Sequence, residues 1–261
     1  MKKRTPLLSA GILAILLLSW SNDGKPVKEF YQLTVYHFNN AGQEKVLDNY
    51  LQNALLPALR KMSIYKVGVF KALANDTSVD KLLYVLIPMR SLDMITKLPA
   101  KLGADEIYQA AAAEYLNALY TVAPYTRMET ILLKAFPLAP QMQVPQLKAG
   151  KKDRVYELRS YESATEKIFQ NKVKMFNEGG EISLFKQLNF NAVFYSEVIA
   201  GNKMPNLMYM TSFENMTDRD AHWKTFSDDP FWKKLSSMPE YQHNVSHIDI
   251  TFLYPAEYSD F

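Results

Sequence analysis

The 261-residue chain contains no cysteine. That absence excludes disulfides, thiolate nucleophiles, cysteine-ligated zinc, iron–sulfur clusters and a lipid-modified N-terminal cysteine. Net charge is also scarce, with 30 Lys and Arg against 27 Asp and Glu. Lys2, Lys3 and Arg4 lie in a segment expected to be removed, and without them 27 basic residues balance 27 acidic ones. A neutral chain with no basic run lacks the electrostatic footprint of a nucleic-acid binder. There is no Gly-x-Ser-x-Gly elbow, and Gly179-Gly180 stands too isolated for a phosphate or dinucleotide loop. Hydrolase, kinase and dehydrogenase readings therefore have no support. His243 and His247 are four apart, but His247 opens a strand and no Glu lies between them, so no metal site is expected. No cofactor is expected either. At 48% hydrophobic and 22% charged, the chain is ordinary globular material that can bury a sizeable core.

The N-terminus reads as an address. Met1–Arg4 is basic, Leu7–Leu18 is an apolar run of 12 residues, and Ser19-Trp20-Ser21 offers small residues where a signal peptidase cuts. The run is short for a membrane span, which needs about 20 apolar residues. Residues 1–21 are expected to be a cleaved signal peptide, and the protein to be exported, periplasmic or secreted. An uncleaved anchor is the alternative. After cleavage no membrane partner is expected.

The strongest internal signal is a self-match at an offset of 125 residues. Tyr31, Leu33 and Tyr36 fall on Tyr156, Leu158 and Tyr161; Leu59 and Lys61 on Leu184 and Lys186; Leu82 and Tyr84 on Leu207 and Tyr209; Asp93 on Asp218. The register runs without a gap over some sixty residues. In the second copy, Val155–Tyr161 alternates as a strand, Thr165–Asn177 has helical period, and Glu181–Leu188 adds a turn or two. Strands follow over Ala192–Ile199 and Asn206–Phe213. Thr217 and Asp220 form a capping box that opens a helix, Asp229-Pro230 restarts it, and His247–Leu253 is the last strand. The first copy matches with Tyr31–Phe38, a helix over Gln43–Met62, Lys66–Leu73, Lys81–Pro88, a helix over Ala104–Thr121, and Arg127–Ala135. The fold class is thus α+β, with two tandem ferredoxin-like β-α-β-β-α-β domains over residues 30–135 and 153–255. Pro137, Pro140 and Pro145 mark residues 136–152 as a linker. Each sheet would leave one face bare, so the two are expected to pack as an intramolecular pseudo-dimer in a monomeric chain, with a homodimer as the further possibility.

Several of these stretches resemble a known family. Val155–Tyr161, Asn206–Phe213 and His222-Trp223 with Phe226, Asp229-Pro230 and Trp232 are similar to the NIPSNAP family along nearly the whole second copy. The first copy is the diverged one, with Ala110–Tyr115 in place of the His-Trp helix. The resemblance implies tandem domains of the dimeric α+β barrel type. The wider superfamily includes small oxygenases, haem-handling proteins and ligand-binding barrels, and fold alone does not choose among them.

The second copy carries the richer polar set. Alternate strand residues share a face, which groups Glu157, Arg159 and Tyr161, and separately His247, Asp249 and Thr251. The polar sets are expected to line the barrel interior, the apolar sets to meet the helices, and Tyr195 and Glu197 to join the polar face. Those residues, with His222 at the rim, make the candidate ligand pocket. Arg159 would hold an anionic group on a small, partly apolar ligand. The competing reading is a buried ion-pair network in which Arg159 neutralises Glu157, Glu197 or Asp249. In the first copy Gln32, Thr34, Tyr36, Arg127 and Glu129 hold the matching positions, and the basic-x-acidic pattern of both last strands favours pairing. An enzyme reading, a cofactor-independent oxygenase or isomerase, would make His247 the base, held by Asp249 or Glu197. A third reading is a purely structural or interaction module. Trp223 and Phe226 share a helix face and read as core anchors, while His222 diverges from Trp223 by about 100°.

Overall fold

The computed structural model describes residues 27–261, so the expected signal segment lies outside the described residues. The first half runs β1 (Phe30–Phe38), α1 (Ala41–Tyr50), a π-helical turn (Leu51–Leu55), α2 (Leu56–Lys61), β2 (Gly68–Ala72), β3 (Lys81–Met89), α3 (Asp93–Gly103), α4 (Glu106–Ala111), α5 (Ala113–Leu116) and β4 (Arg127–Ala135). The second runs β5 (Val155–Glu162), α6 (Glu166–Asn177), α7 (Glu181–Gln187), β6 (Phe194–Ala200), β7 (Asn206–Phe213), α8 (Met216–Asp228), α9 (Pro230–Ser237) and β8 (His247–Pro255). Among the described residues no helix is long and apolar enough to cross a membrane.

Local chemistry sets the helix starts. The Thr165 side chain accepts the Ile168 N–H at 3.3 Å, and Asp229 accepts those of Phe231 and Trp232 ahead of Pro230. α8 begins earlier than the expected Thr217 cap, because the Asn215 side chain takes the Asp218 N–H at 2.9 Å. In the first half the expected helix over Ala104–Thr121 breaks up. Asp105 accepts the N–H groups of Ile107 and Tyr108 and starts a new short helix. The preceding helix, α3, tolerates Pro99 within it.

Eight strands close into one barrel in the order β1-β3-β2-β8-β5-β7-β6-β4. Each half keeps the ferredoxin-like order, and the halves join at two antiparallel seams. One is β2 to β8, with Phe70 opposite Pro255 and Ala72 opposite Leu253. The other is β4 to β6, with Leu133 opposite Val198 and Ala135 opposite Ser196. The intramolecular pseudo-dimer is therefore a shared barrel, with helices outside. The three large cores among the described residues lie inside the barrel and between each half-barrel and its helices, and a small fourth cluster gathers Met175, Leu235 and Tyr241.

The strand pairing corrects the ungapped repeat. Val35 pairs with Tyr84 in the first half, while Ser160, its equivalent at 125, pairs with Met208. The offset in that strand is thus one residue shorter. Tyr84 looks into the barrel and Tyr209 looks toward the helices. A one-residue slip reverses the face of every side chain in a strand.

One end of the barrel is stoppered. Met142, from the expected linker, and Phe261 are both buried in the barrel core. The linker is pinned as well: the Met142 N–H donates to Glu29 at 2.8 Å, the Gln143 N–H to the Val193 carbonyl at 2.9 Å, and the Ala149 N–H to Glu214 at 2.7 Å. Phe70 contacts Tyr156 and Phe261, with ring centroids 4.9 and 5.4 Å away, so its packing crosses from one half to the other. Replacing Phe70 by Ala is expected to cost about 3–5 kcal/mol in urea unfolding, within one cooperative transition of the whole chain. Two transitions, with the second half unaffected, would show that the halves do not share a core.

Candidate functional site

The eight residues expected to form one pocket are dispersed, because the face assignment is reversed on β5 and β6, while on β8 Asp249 and Thr251 do face the barrel interior. Tyr156 and Leu158 point into the barrel, whereas Tyr161 belongs to the helix-side core. Glu157 and Arg159 share that outer face, where Arg219 and Trp223 of α8 meet them. The physical reason is supply of partners. The inner face of an eight-stranded barrel is just wide enough for packed side chains, and here it is filled with apolar ones. Only the helix layer could bring counter-charges to a buried carboxylate.

It does so fully. Glu157 is 0% exposed. Its oxygens accept Arg159 Nε at 2.6 Å, Arg219 Nε and Nη2 at 2.8 and 2.9 Å, and Trp223 Nε1 at 2.7 Å. Arg159 lies 3.7 Å over the Trp223 ring and donates to Tyr161 Oη at 2.8 Å, which pairs with Tyr209 Oη at 2.9 Å. Burial pushes the Glu157 carboxyl up, but Arg219 and Arg159 outweigh it and hold it below its ordinary value. A second buried pair, Lys172 Nζ to Glu181 at 2.9 Å, lies among the same helices. Tyr195 stacks on Phe185 and Tyr209 in that core. Glu197 instead faces Lys134 at 3.4 Å. His222 Nδ1 lies 2.8 Å from the Asp218 carbonyl, and its ring packs on Phe213 and on Phe190, which Trp223 also contacts. This cluster is an ion-pair network centred on Glu157, and it engages Arg159 through Glu157, Tyr161 and the Trp223 ring.

His247 and Asp249 lie elsewhere, at the open end of the barrel opposite the Met142 and Phe261 stopper. A cavity of about 240 Å³ opens there. Val35, Tyr84, Ile131, Leu158, Val198 and Met208 form its apolar floor and walls, below a rim that includes His37, Glu129, Asn202, Lys203, Asn206 and Asp249. Both halves contribute. His37 Nδ1 meets Asp80 at 2.9 Å, and Asn202 donates to Glu129 at 3.2 Å. Glu129 also pairs with Arg127. His247 Nε2 stands 3.2 Å from Asp249, and Lys203 Nζ donates to the other Asp249 oxygen at 2.5 Å. Partial burial would raise the Asp249 carboxyl, yet Lys203 and His247 hold it below its ordinary value. Burial pushes the Tyr84 phenol up to about 12, so it stays protonated at neutral pH.

Sequence reasoning missed His37, Glu162, Asn202, Lys203 and Asn206. A signal was present for two of them. His37 and Glu162 are 125 residues apart, and both lie in the last two positions of the first strand of their repeat, at the same end of the barrel. The loop residues Asn202 and Lys203 carried no such mark.

The NIPSNAP family model matches residues 156–260. The second domain is a NIPSNAP domain. No curated protein matches the chain. A solved structure from Lactobacillus acidophilus, provisionally described as a monooxygenase, superposes with a TM-score of 0.57 at 12% identity, covering 87% of this chain and 94% of that one. One from Fusobacterium nucleatum, with the same provisional description, gives 0.57 at 6% identity over 88% and 93%. An anthrone oxidase-like protein gives 0.50 at 9% identity over 88% and 92%. At these identities the likeness is one of fold, the dimeric α+β barrel, spanning both halves of this chain.

The network around the NIPSNAP domain's Glu157 generates a prediction. Glu157→Gln leaves two half-buried guanidinium groups without their fully buried carboxylate and is expected to cost about 3 kcal/mol in urea unfolding at pH 7. The Glu157 pKa is lowered by folding, so its stabilisation is complete above the ordinary carboxylate value of 4.5 and is lost as pH falls through the folded value. The variant is accordingly expected to lose less stability than the wild-type protein between pH 5 and about pH 3. Parallel wild-type and variant curves would remove Glu157 from the account.

Proposed function

We propose that the protein binds a small, partly apolar ligand in the mouth of the shared barrel. The observation that carries this reading is the cavity itself, an apolar floor beneath a rim of hydrogen-bonding groups. At about 240 Å³ it falls below the roughly 300–1,000 Å³ of drug-sized sites, so the ligand is small. The site differs from the expected one in two respects. It is built by both halves, and Arg159 has no place in it. An anionic end for the ligand therefore loses its expected partner, since Arg159 is engaged with Glu157 and Lys203 with Asp249. The address read from residues 1–21 makes this an exported binding protein in the same proposal.

The enzyme reading stands second. Asp249 does orient His247, at 3.2 Å, as a general base requires. Yet His247 is exposed on the rim, while the cavity wall below it is formed by Asp249 and Thr251. The interaction-module reading finds one supporting feature, the exposed Ile248 and Ile250 on the outer face of β8.

Native mass spectrometry of the protein from its own host tests the pocket. The wild-type protein is expected to carry a bound organic mass, on a chain beginning near Asn22. Ile131→Trp, which fills the cavity from the β4 wall, is expected to abolish the adduct with a melting temperature close to that of the wild type. An adduct that survives Ile131→Trp, or a wild-type chain that retains no organic mass and takes up none from a lipid and metabolite extract, would overturn the reading.

A further inference from the structure

Around the mouth, Glu162 ends β5 and has a direct cross-strand neighbour on each side. On β8 this is His247 and on β7 it is Asn206. Asp249 follows His247 by two residues, so it shares the same barrel-facing side. One donor atom from each of Glu162, His247 and Asp249 lies within 4.8 Å of the others, and among the described residues no other three such donors gather this way. Ligand atoms held about 2.0–2.2 Å from one ion lie within roughly 4.4 Å of one another. Small side-chain rotations on a rigid sheet would therefore suffice.

A second observation points to a ligand at the same place. Asn206 is 2% exposed, lines the mouth cavity, and spends its amide N–H on Ser160 Oγ at 2.7 Å. Its side-chain oxygen is buried without a donor. A buried acceptor left unpaired is costly, and a cation beside Glu162 is one group that would satisfy it. Asp249 already holds a cation, the Lys203 ammonium, supplied by the β6–β7 loop.

We propose that Glu162, His247 and Asp249, with Asn206 and its unpartnered side-chain oxygen on the neighbouring strand β7, form a binding site for one divalent transition-metal ion at the barrel mouth. One imidazole with carboxylate and carbonyl oxygens suits Zn²⁺, Mn²⁺ or Fe²⁺ better than Mg²⁺ or Ca²⁺, which prefer all-oxygen sets. The search for histidines four apart missed this donor set because it is a cross-strand one. Lys203 competes with the ion for Asp249. Its removal should tighten binding, whereas removal of a ligand should weaken it.

Isothermal titration of the purified protein with ZnCl₂ and with MnCl₂, with equimolar Mg²⁺ as competitor, tests the site. One ion per chain is expected, with Mg²⁺ not displacing it. His247→Ala and Asp249→Asn are each expected to weaken binding at least tenfold, and Lys203→Met to tighten it several-fold. Opposite signs at Asp249 and Lys203, which are in contact, separate ligation from a general loss of the fold. Absence of saturable one-to-one binding in the wild-type protein, or affinity unchanged by both ligand substitutions, would overturn the site. Ile131→Trp lies on the far wall and is expected to keep the ion, so loss of the organic ligand and loss of the metal are read separately.

Discussion

The closure of two open sheets into one barrel is the constraint on which the rest of this structure depends. A four-stranded ferredoxin-like sheet has two unpaired edges and, with helices on one side, one bare face. The β2–β8 and β4–β6 seams pair all four edges and turn both bare faces inward. The buried inner surface explains why β7 is buried along its whole length. It also explains why the segment joining the halves does not behave as a free tether. Met142 is taken up as a stopper, so the same end of the barrel is shut by residues 119 positions apart in the chain.

Closure also decides where charge can go. The inner face offers no counter-ions below the mouth, so buried carboxylates such as Glu157 must face the helix layer. There α8 provides Arg219 and Trp223. The two halves have filled this layer differently. In the NIPSNAP domain it holds an aromatic and ion-pair core. In the first half it holds a cluster of tyrosines, with Tyr50 and Tyr115 stacked at 3.8 Å and Tyr50 Oη 3.0 Å from Tyr108 Oη. The short helices α3, α4 and α5 frame that cluster where α8 and α9 stand in the second half. The diverged helix sequence thus has a structural counterpart in a different way of filling the same space.

At the open end the repeat becomes a single site. Equivalent strand ends from the two halves, His37 and Glu162, face one opening, and Glu129 and Asp249 recur one step further in on β4 and β8. The β6–β7 loop spans the opening, reaching Glu129 of one half through Asn202 and Asp249 of the other through Lys203. Neither half alone has the floor, the rim and this bridge. The mouth is therefore a product of closure, and its chemistry is asymmetric because only one half supplies the bridging loop.

The repeat, the strand order and the need for two sheets to cover each other were legible in the sequence. Alternation, capping residues and proline act over a few residues and leave their mark locally. Strand β4 falls where the alternation of Arg127–Ala135 places it, and Asp229-Pro230 starts a helix as its chemistry dictates. The face that Glu157 and Arg159 occupy was not legible. Both sides of β5 are buried here, so alternation separates two sets of residues without naming which is inside. That choice rests on Arg219, 62 residues away, and on the interior being shared by strands from both halves. The site was only half legible for the same reason. His247 and Asp249 stood out by residue type, but their neighbours Glu162, Asn206 and Lys203 become neighbours only through sheet register and one loop. Sequence alone determined the elements and their duplication, because those follow from local periodicity. Tertiary structure alone decided which face became the core and which end became the mouth, because both depend on contacts between strands far apart in the chain.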